Sequence, residues 1–269
     1  MNRKPVVAGQ FYPGRQEEWL REVIEYLAAG APQGEARALL AMVPHAGYIF
    51  SGKVAGRTIA RANPVSDVLL LGPNHTGRGA PLAVWSRGAW ELPGTSVPVA
   101  EDLADHLLQA HPGLQPDETA HVSEHSLEVL LPFLWARSKE SRIMPICVSE
   151  PDPGRLVEVG HSLAQALSTW EGEVSVLVSS DMSHFISLEE AKAKDEQALQ
   201  AVYDIDPEKL YHTVRSNNIS MCGVLPMTVG LSLARSLGAS KAELVQYATS
   251  ADMTGDTRQV VGYAGVVIS

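Results

Sequence analysis

Apolar positions along the chain follow two periods in alternation. Trp19, Leu20, Val23, Ile24 and Leu27 recur at helical spacing, so residues 16–28 are predicted as an amphipathic helix. A short apolar run at residues 38–43 stops at Pro44, and a second at 67–71 stops at Gly72-Pro73; both fit buried strands. Between them, residues 51–63 read as a crossover helix weakened by its glycines. Residues 81–99 hold Trp85, Trp90 and several Gly/Pro breaks, the pattern of a hairpin or an irregular excursion. A helix is expected over residues 123–138, capped by Ser123 and kinked or restarted at Pro132.

In the second half, residues 142–148 read as a third strand. Asp152-Pro153 supplies a cap and a first-turn proline for a helix reaching about Thr169. Residues 174–180 form a fourth strand. Ser187 and Glu190 fit a capping box that opens a helix to about Tyr203. Asp206-Pro207 opens another helix, residues 222–237 a third, and residues 242–250 and 259–269 close the chain as strands. Apolar strands separated by helices imply an α/β fold, a mostly parallel central sheet with helices on both faces. The closing strand pair is free to run antiparallel to the rest.

Composition narrows the picture. The 269 residues, 45% hydrophobic and 19% charged, suffice for a sizeable core, and no Ser/Gly/Pro-rich linker or charge block divides them. A single domain over residues 1–269 is therefore expected. A net charge of −10 and a pI near 5.4 argue against a nucleic-acid or anionic-membrane surface. Two cysteines, Cys147 and Cys222, make no disulfide framework, and no run approaches the ~18 apolar residues of a membrane span. The first residues lack the apolar stretch of a signal peptide, which points to the cytoplasm. GxGxxG after a strand, Walker, HExxH, GxSxG and CxxC motifs are all missing, so nucleotide-dependent chemistry is not expected.

Candidate chemistry lies at strand ends. His45 follows the first strand in PHAGY, His75 follows the second in GPNH, and Asp181, Ser183 and His184 follow the fourth in SSDMSH. Open α/β sheets bind ligands outside the carboxyl ends of their strands, so three strands deliver imidazole or carboxylate to one edge. One such histidine alone is more often structural; three at one topological position favour a site. In both PHAGY and GPNH, proline ends the strand and glycine follows the histidine by two residues. That pattern fits a tight turn and a close backbone approach to a ligand equally well. Cys222, in SMCGVLP before an apolar helix, is open to two readings. A helix amino terminus lowers a thiol pKa and suits it to metal binding or nucleophilic chemistry, while a small buried hydrophobe is as common. Cys147, inside a strand, is assigned to the core. Glu124 and Glu128 share a face of the expected helix, with His125 turned away. His125 is open to a ligand-orienting or acid/base role and to a capping one. His106, His111, His121, His161 and His212 are read as solvated.

At these residues the sequence resembles the Memo family. The matching pieces are FYP (11–13), PHAGYIFSG (44–52), LGPNH (71–75), EHSLEVLLPFL (124–134), SSDMSH (179–184) and Met221-Cys222-Gly223, in the family's order and spread over nearly the whole chain. The family is similar in fold to the class III extradiol ring-cleavage dioxygenases, whose non-haem iron(II) is held by two histidines and a glutamate with a further histidine as acid/base. The resemblance implies His45 and His75 as metal ligands, His184 as the acid/base, and Cys222 where those dioxygenases carry glutamate. That departure counts against ring cleavage, because thiolate is a softer and oxidisable ligand. The resemblance also implies Fe(II), with Cu or Zn as alternatives, and a functional link to radical SAM and AMMECR-type proteins as the B component of the AmmeMemoRadiSam system.

Three functions follow as expectations. The first is a metal-dependent oxidoreductase acting on a small-molecule substrate, with Fe(II) held by His45, His75 and Cys222. His184 would move protons, and Asp181 would orient a ligand histidine or water. The second is a zinc-dependent hydrolase. The third is a non-enzymatic metal- or peptide-binding module.

Overall fold

Strands buried on both faces carry this fold, which is why their sequences read as unbroken apolar runs. The structure, a computed structural model, describes residues 2–30 and 37–269. Its first half contains α1 (Gln16–Ala28), β1 (Leu40–Val43), α2 (Tyr48–Ala62), β2 (Asp67–Pro73), β3 (Leu82–Val84), β4 (Ala89–Leu92), β5 (Thr95–Pro98), α3 (Glu101–Leu108) and β6 (Gln115–Pro116). A 3-10 turn (Glu128–Leu130) then runs into α4 (Leu131–Arg137), followed by β7 (Arg142–Val148), α5 (Pro153–Ser168), β8 (Ser175–Ser179) and β9 (His184–Ile186). The chain ends with α6 (Leu188–Tyr203), α7 (Pro207–Ser216), α8 (Val224–Ser236), β10 (Ala242–Thr249), α9 (Ala251–Thr254) and β11 (Val260–Ile268).

One sheet is ordered β10-β11-β1-β8-β2-β7-β3-β6, with β9 also on β11, while β4 and β5 form a separate hairpin. Its centre, β1-β8-β2-β7, is parallel; β11 joins it antiparallel to β1, and β3 antiparallel to β7. The closing pair β10–β11 is antiparallel within itself. Side chains alternate between faces as the pleat requires. Leu40, Met42, Leu69 and Leu71 pack with Leu156 and Val159 of α5 and Met227 and Leu231 of α8. Ala41, Val43, Val68 and Leu70 pack on the opposite face with Trp19, Ile59 and Phe133. Each fully buried Leu or Ile contributes about 1.5–3 kcal/mol, so both helical layers are held chiefly by this sheet. No helix among the described residues is long and apolar enough to cross a membrane.

The expected caps are present. Asp152, Ser187 and Asp206 each accept the amide three residues on, from Arg155, Glu190 and Lys209. Of the helix expected over 123–138, residues 128–137 are helical, a 3-10 turn running into the seven-residue α4 with Pro132 in its first turn, whereas residues 123–127 are not. Glu124 takes back the Ser126 amide at 2.9 Å, a local bond that competes with a helical turn. Both glutamates are buried and committed elsewhere, rather than sharing a solvated helical face. Glu128 pairs with Arg3 at 2.8 Å and accepts the amides of Val6 and Val7 and the Tyr12 hydroxyl, so it anchors the amino-terminal segment. His121, expected in solvent, is fully buried between Trp85 and Trp90, with Nε2 3.0 Å from the Ala83 carbonyl.

Candidate metal centre

Because β8 lies between β1 and β2 and all three are parallel, the segments leaving their carboxyl ends are neighbours. They bring His45, His75, Asp181 and His184 to the wall of one cavity of about 430 Å³. His125 stands in the same wall, delivered by the irregular segment ahead of the 3-10 turn. The ligand atoms of His45, His75 and His125 lie within 4.8 Å of one another, and the His75 and His125 rings stack with centroids 4.8 Å apart. Phe11, Ile49, Phe50, Val261 and Tyr263 make the rest of the cavity largely apolar.

The tautomers follow from the hydrogen bonds. Ser179 Oγ donates to the Ser126 carbonyl at 2.7 Å, which uses its only proton. It must therefore accept from His45 Nδ1, 2.7 Å away, and His45 Nε2 carries the ring's lone pair, with Cys222 Sγ 3.3 Å from it. His75 Nδ1 faces Glu124 Oε1 at 2.9 Å, and Glu124 Oε2 accepts the His75 amide at 2.6 Å. A carboxylate only accepts, so His75 also presents Nε2. His184 Nδ1 lies 3.0 Å from the Ser220 carbonyl, and its amide donates to Ser220 Oγ at 2.7 Å. This third imidazole likewise carries its proton on Nδ1. Metal-binding histidines are commonly oriented by such carboxylate, hydroxyl or carbonyl partners.

Charge is arranged to match. Burial, reinforced by the neighbouring His75 and His125, holds His45 well below the usual imidazole range, so it is neutral. Burial alone would raise Glu124, but the hydrogen bond and charge of His75 and the amides of Ser126 and His75 hold it down at about 2. Burial works against a charged His75, yet the Glu124 bond outweighs it and raises the pKa. Burial lowers His125, whose ring meets Phe11 edge-on at 4.9 Å. Asp181 is buried and accepts the His45 amide at 2.8 Å; burial pushes its carboxyl above the usual range despite that bond.

Cys222 is placed beside the cavity wall rather than in the histidine trio. Its Sγ lies 3.3 Å from His45 Nε2 and accepts the Asp181 amide at 3.2 Å. A side chain on the next residue, Gly223, would collide with Ser180, so glycine there lets α8 approach the segment after β8. Of the two readings that the sequence left open for this thiol, a pKa lowered by the helix amino terminus is not the one found. Burial first, and then the Asp181 carboxylate, push it up. Cys147 is buried in β7, with Sγ 3.4 Å from the Pro73 carbonyl.

Sequence reasoning left the role of His125 open and missed Glu124 and Ser179 as the groups that orient His75 and His45. The pairing of Glu124 with His125 in EHSLE was the available signal. Helical spacing assigned it to the wrong faces, because the segment is not helical.

Comparison with known proteins agrees with this architecture. The crystal structure of an uncharacterised protein from Escherichia coli K12 superposes with a TM-score of 0.58, covering 86% of this chain and 100% of that one; at 12% identity the likeness is one of fold alone. A MEMO1 family protein from Aquifex aeolicus is 43% identical over 267 residues, covering 98% of each chain. Another from Methanosarcina mazei is 39% identical, covering 99% of this chain and 98% of its own. The description Memo-like protein matches residues 3–267, and with these full-length similarities the chain belongs to the Memo family.

Proposed function

We propose that this protein is a metal-dependent oxidoreductase whose His45, His75 and His125 hold one Fe(II) ion in the cavity, with His184 and Asp181 handling protons. The carrying observation is the trio of imidazoles within 4.8 Å of one another, two of them with Nδ1 committed so that Nε2 is presented. Two nitrogens bound to one ion at about 2.0–2.1 Å cannot be much further apart than twice that reach, so only a small closure is needed. The donor set suits iron, copper or zinc. The Cys222 thiol is the candidate fourth donor. Sulfur and nitrogen on one tetrahedral ion stand roughly 3.5 Å apart, close to its 3.3 Å from His45 Nε2.

Bound iron(II) supplies a Lewis acid and a one-electron couple. The chain supplies the rest. His184, its Nδ1 proton held by Ser220, turns Nε2 to accept a proton from a substrate hydroxyl or water. Asp181 keeps the His45 backbone in place and, with its raised pKa, takes or returns a proton near neutrality more readily than an exposed aspartate. The apolar wall excludes water from the bound ligand.

Metal content after anaerobic purification, with oxygen uptake on iron-loaded protein, tests this. Iron at one per chain with substrate-dependent oxygen uptake supports it; metal-free protein that takes up none sinks it. One observation favours a second reading, a zinc hydrolase. Three imidazole ligands would add no negative charge, so a zinc ion held by them would keep its full charge as a Lewis acid for hydrolysis. Stoichiometric zinc without oxygen uptake selects that reading.

A further inference from the structure

Tyr263 sits on β11 in the cavity wall, two residues from Val261 on the same side of the strand. The residue is 2% exposed, yet no described residue hydrogen-bonds its hydroxyl. Among the described residues, the sealed side-chain atoms that lack a partner are Arg57 Nε, Trp90 Nε1, His121 Nδ1, Arg137 Nε and Ser183 Oγ. The Tyr263 oxygen is not one of them, so it is unpaired but keeps some accessible surface, and the cavity is the space that its side chain lines. A buried hydroxyl without a partner costs free energy, and a fold that keeps one facing a cavity beside polar groups has placed a donor for something that enters. Burial and the Asp181 carboxylate also keep the phenol protonated. It can therefore donate, and it cannot act as an anion.

We infer that the Tyr263 hydroxyl is a recognition donor for the cavity's ligand, and that this ligand pairs an oxygen acceptor with an apolar body. The acceptor, a carboxylate, hydroxamate or carbonyl oxygen, lies between Tyr263 and the histidine trio. The body packs on Phe11, Ile49 and Phe50. A phenol donates one directional hydrogen bond, so the group it recognises is an oxygen acceptor, and the apolar residues of the same wall take the rest of the ligand. The inference rests on the metal reading only in placing the ligand near the trio; the donor role is a property of the chain.

The test titrates benzohydroxamate into wild type and Tyr263→Phe, each zinc-loaded and metal-free, with acetohydroxamate as the probe lacking an apolar body. Tyr263→Phe keeps the ring and deletes one oxygen. It should bind the same zinc, melt like wild type and bind benzohydroxamate about tenfold more weakly, the loss expected for one hydrogen bond to a charged acceptor. Acetohydroxamate should bind more weakly than benzohydroxamate to both proteins. Should Tyr263→Phe melt early, the wild-type protein labelled at tyrosine ¹³Cζ gives the same answer, because the Tyr263 resonance must move when the probe binds. Equal affinity in wild type and variant, an unmoved resonance, or no binding of benzohydroxamate in either state overturns the inference. Failure of wild type to take up zinc or iron overturns the metal reading instead, and the metal-free titration still reads Tyr263.

Discussion

Glu124 holds His75 at two points: its Oε2 accepts the His75 backbone amide at 2.6 Å and its Oε1 meets Nδ1 at 2.9 Å. One buried carboxylate thereby fixes the position, the ring orientation and the tautomer of a histidine 49 residues away in sequence. Glu124→Gln removes the charge and can no longer accept at both points. Metal affinity should fall by about 10–100-fold, as for other partners that orient a ligand histidine. The His75 pKa in metal-free protein should also drop from its raised value. Zinc titration and an NMR pH titration check both, and a variant with wild-type affinity and an unmoved His75 would remove Glu124 from the site.

Ligand and proton carrier are separable. His45→Ala, His75→Ala and His125→Ala each delete one of the three imidazoles and should lower metal occupancy sharply. His184→Ala should keep near-normal metal and slow any turnover by ~10²–10⁴-fold. Metal stoichiometry measured in parallel decides the roles. Loss of metal from His184→Ala as complete as from the other three makes His184 a ligand.

The two thiols should respond oppositely. Cys147→Ser places a hydroxyl in the buried centre of β7 and should cost about 1–3 kcal/mol in chemical denaturation. Cys222→Ser should leave the melt nearly unchanged while weakening binding of a soft or borderline metal, since its sulfur faces His45. The reverse pattern would assign Cys222 to packing and Cys147 to the site.

His121 sets a pH dependence. Burial lowers its pKa to about 4 against roughly 6.5 in the unfolded chain, and its Nδ1 has no partner. The unfolded state therefore takes up the proton first. The stability that this residue contributes is full above about pH 6.5 and is lost as pH falls toward 4, by about 3 kcal/mol in all. His121→Gln, which retains a donor for the Ala83 carbonyl, should be less pH-sensitive across that window. Identical slopes for the two proteins in urea melts at pH 7, 5.5 and 4.5 would show that His121 is not the titrating group.

Which parts of this protein were legible in its sequence follows from the range of the forces involved. Strands β1, β2 and β8 were readable because burial on both faces demands an unbroken apolar run, and Pro44 and Pro73 mark where two of them stop. Placing His45, His75 and His184 at one edge needed only the rule that parallel strands present their carboxyl ends together. The caps at Asp152, Ser187 and Asp206 are bonds across three residues, and such bonds are written locally.

Tertiary structure decided the rest. Glu128 finds its partner Arg3 125 residues away, and those long-range bonds, with the Glu124–His75 grip, override the helical period of residues 123–127. That override turns His125 into the cavity. The Cys222 pKa stayed open in the sequence for the same reason: an amino-terminal helix dipole is visible there. The buried carboxylate of Asp181 and the desolvation that outweigh it arise only when α8 packs against the segment after β8. Local propensity acts over a turn or two of chain, whereas a buried charge takes its partner from wherever the packed fold supplies one.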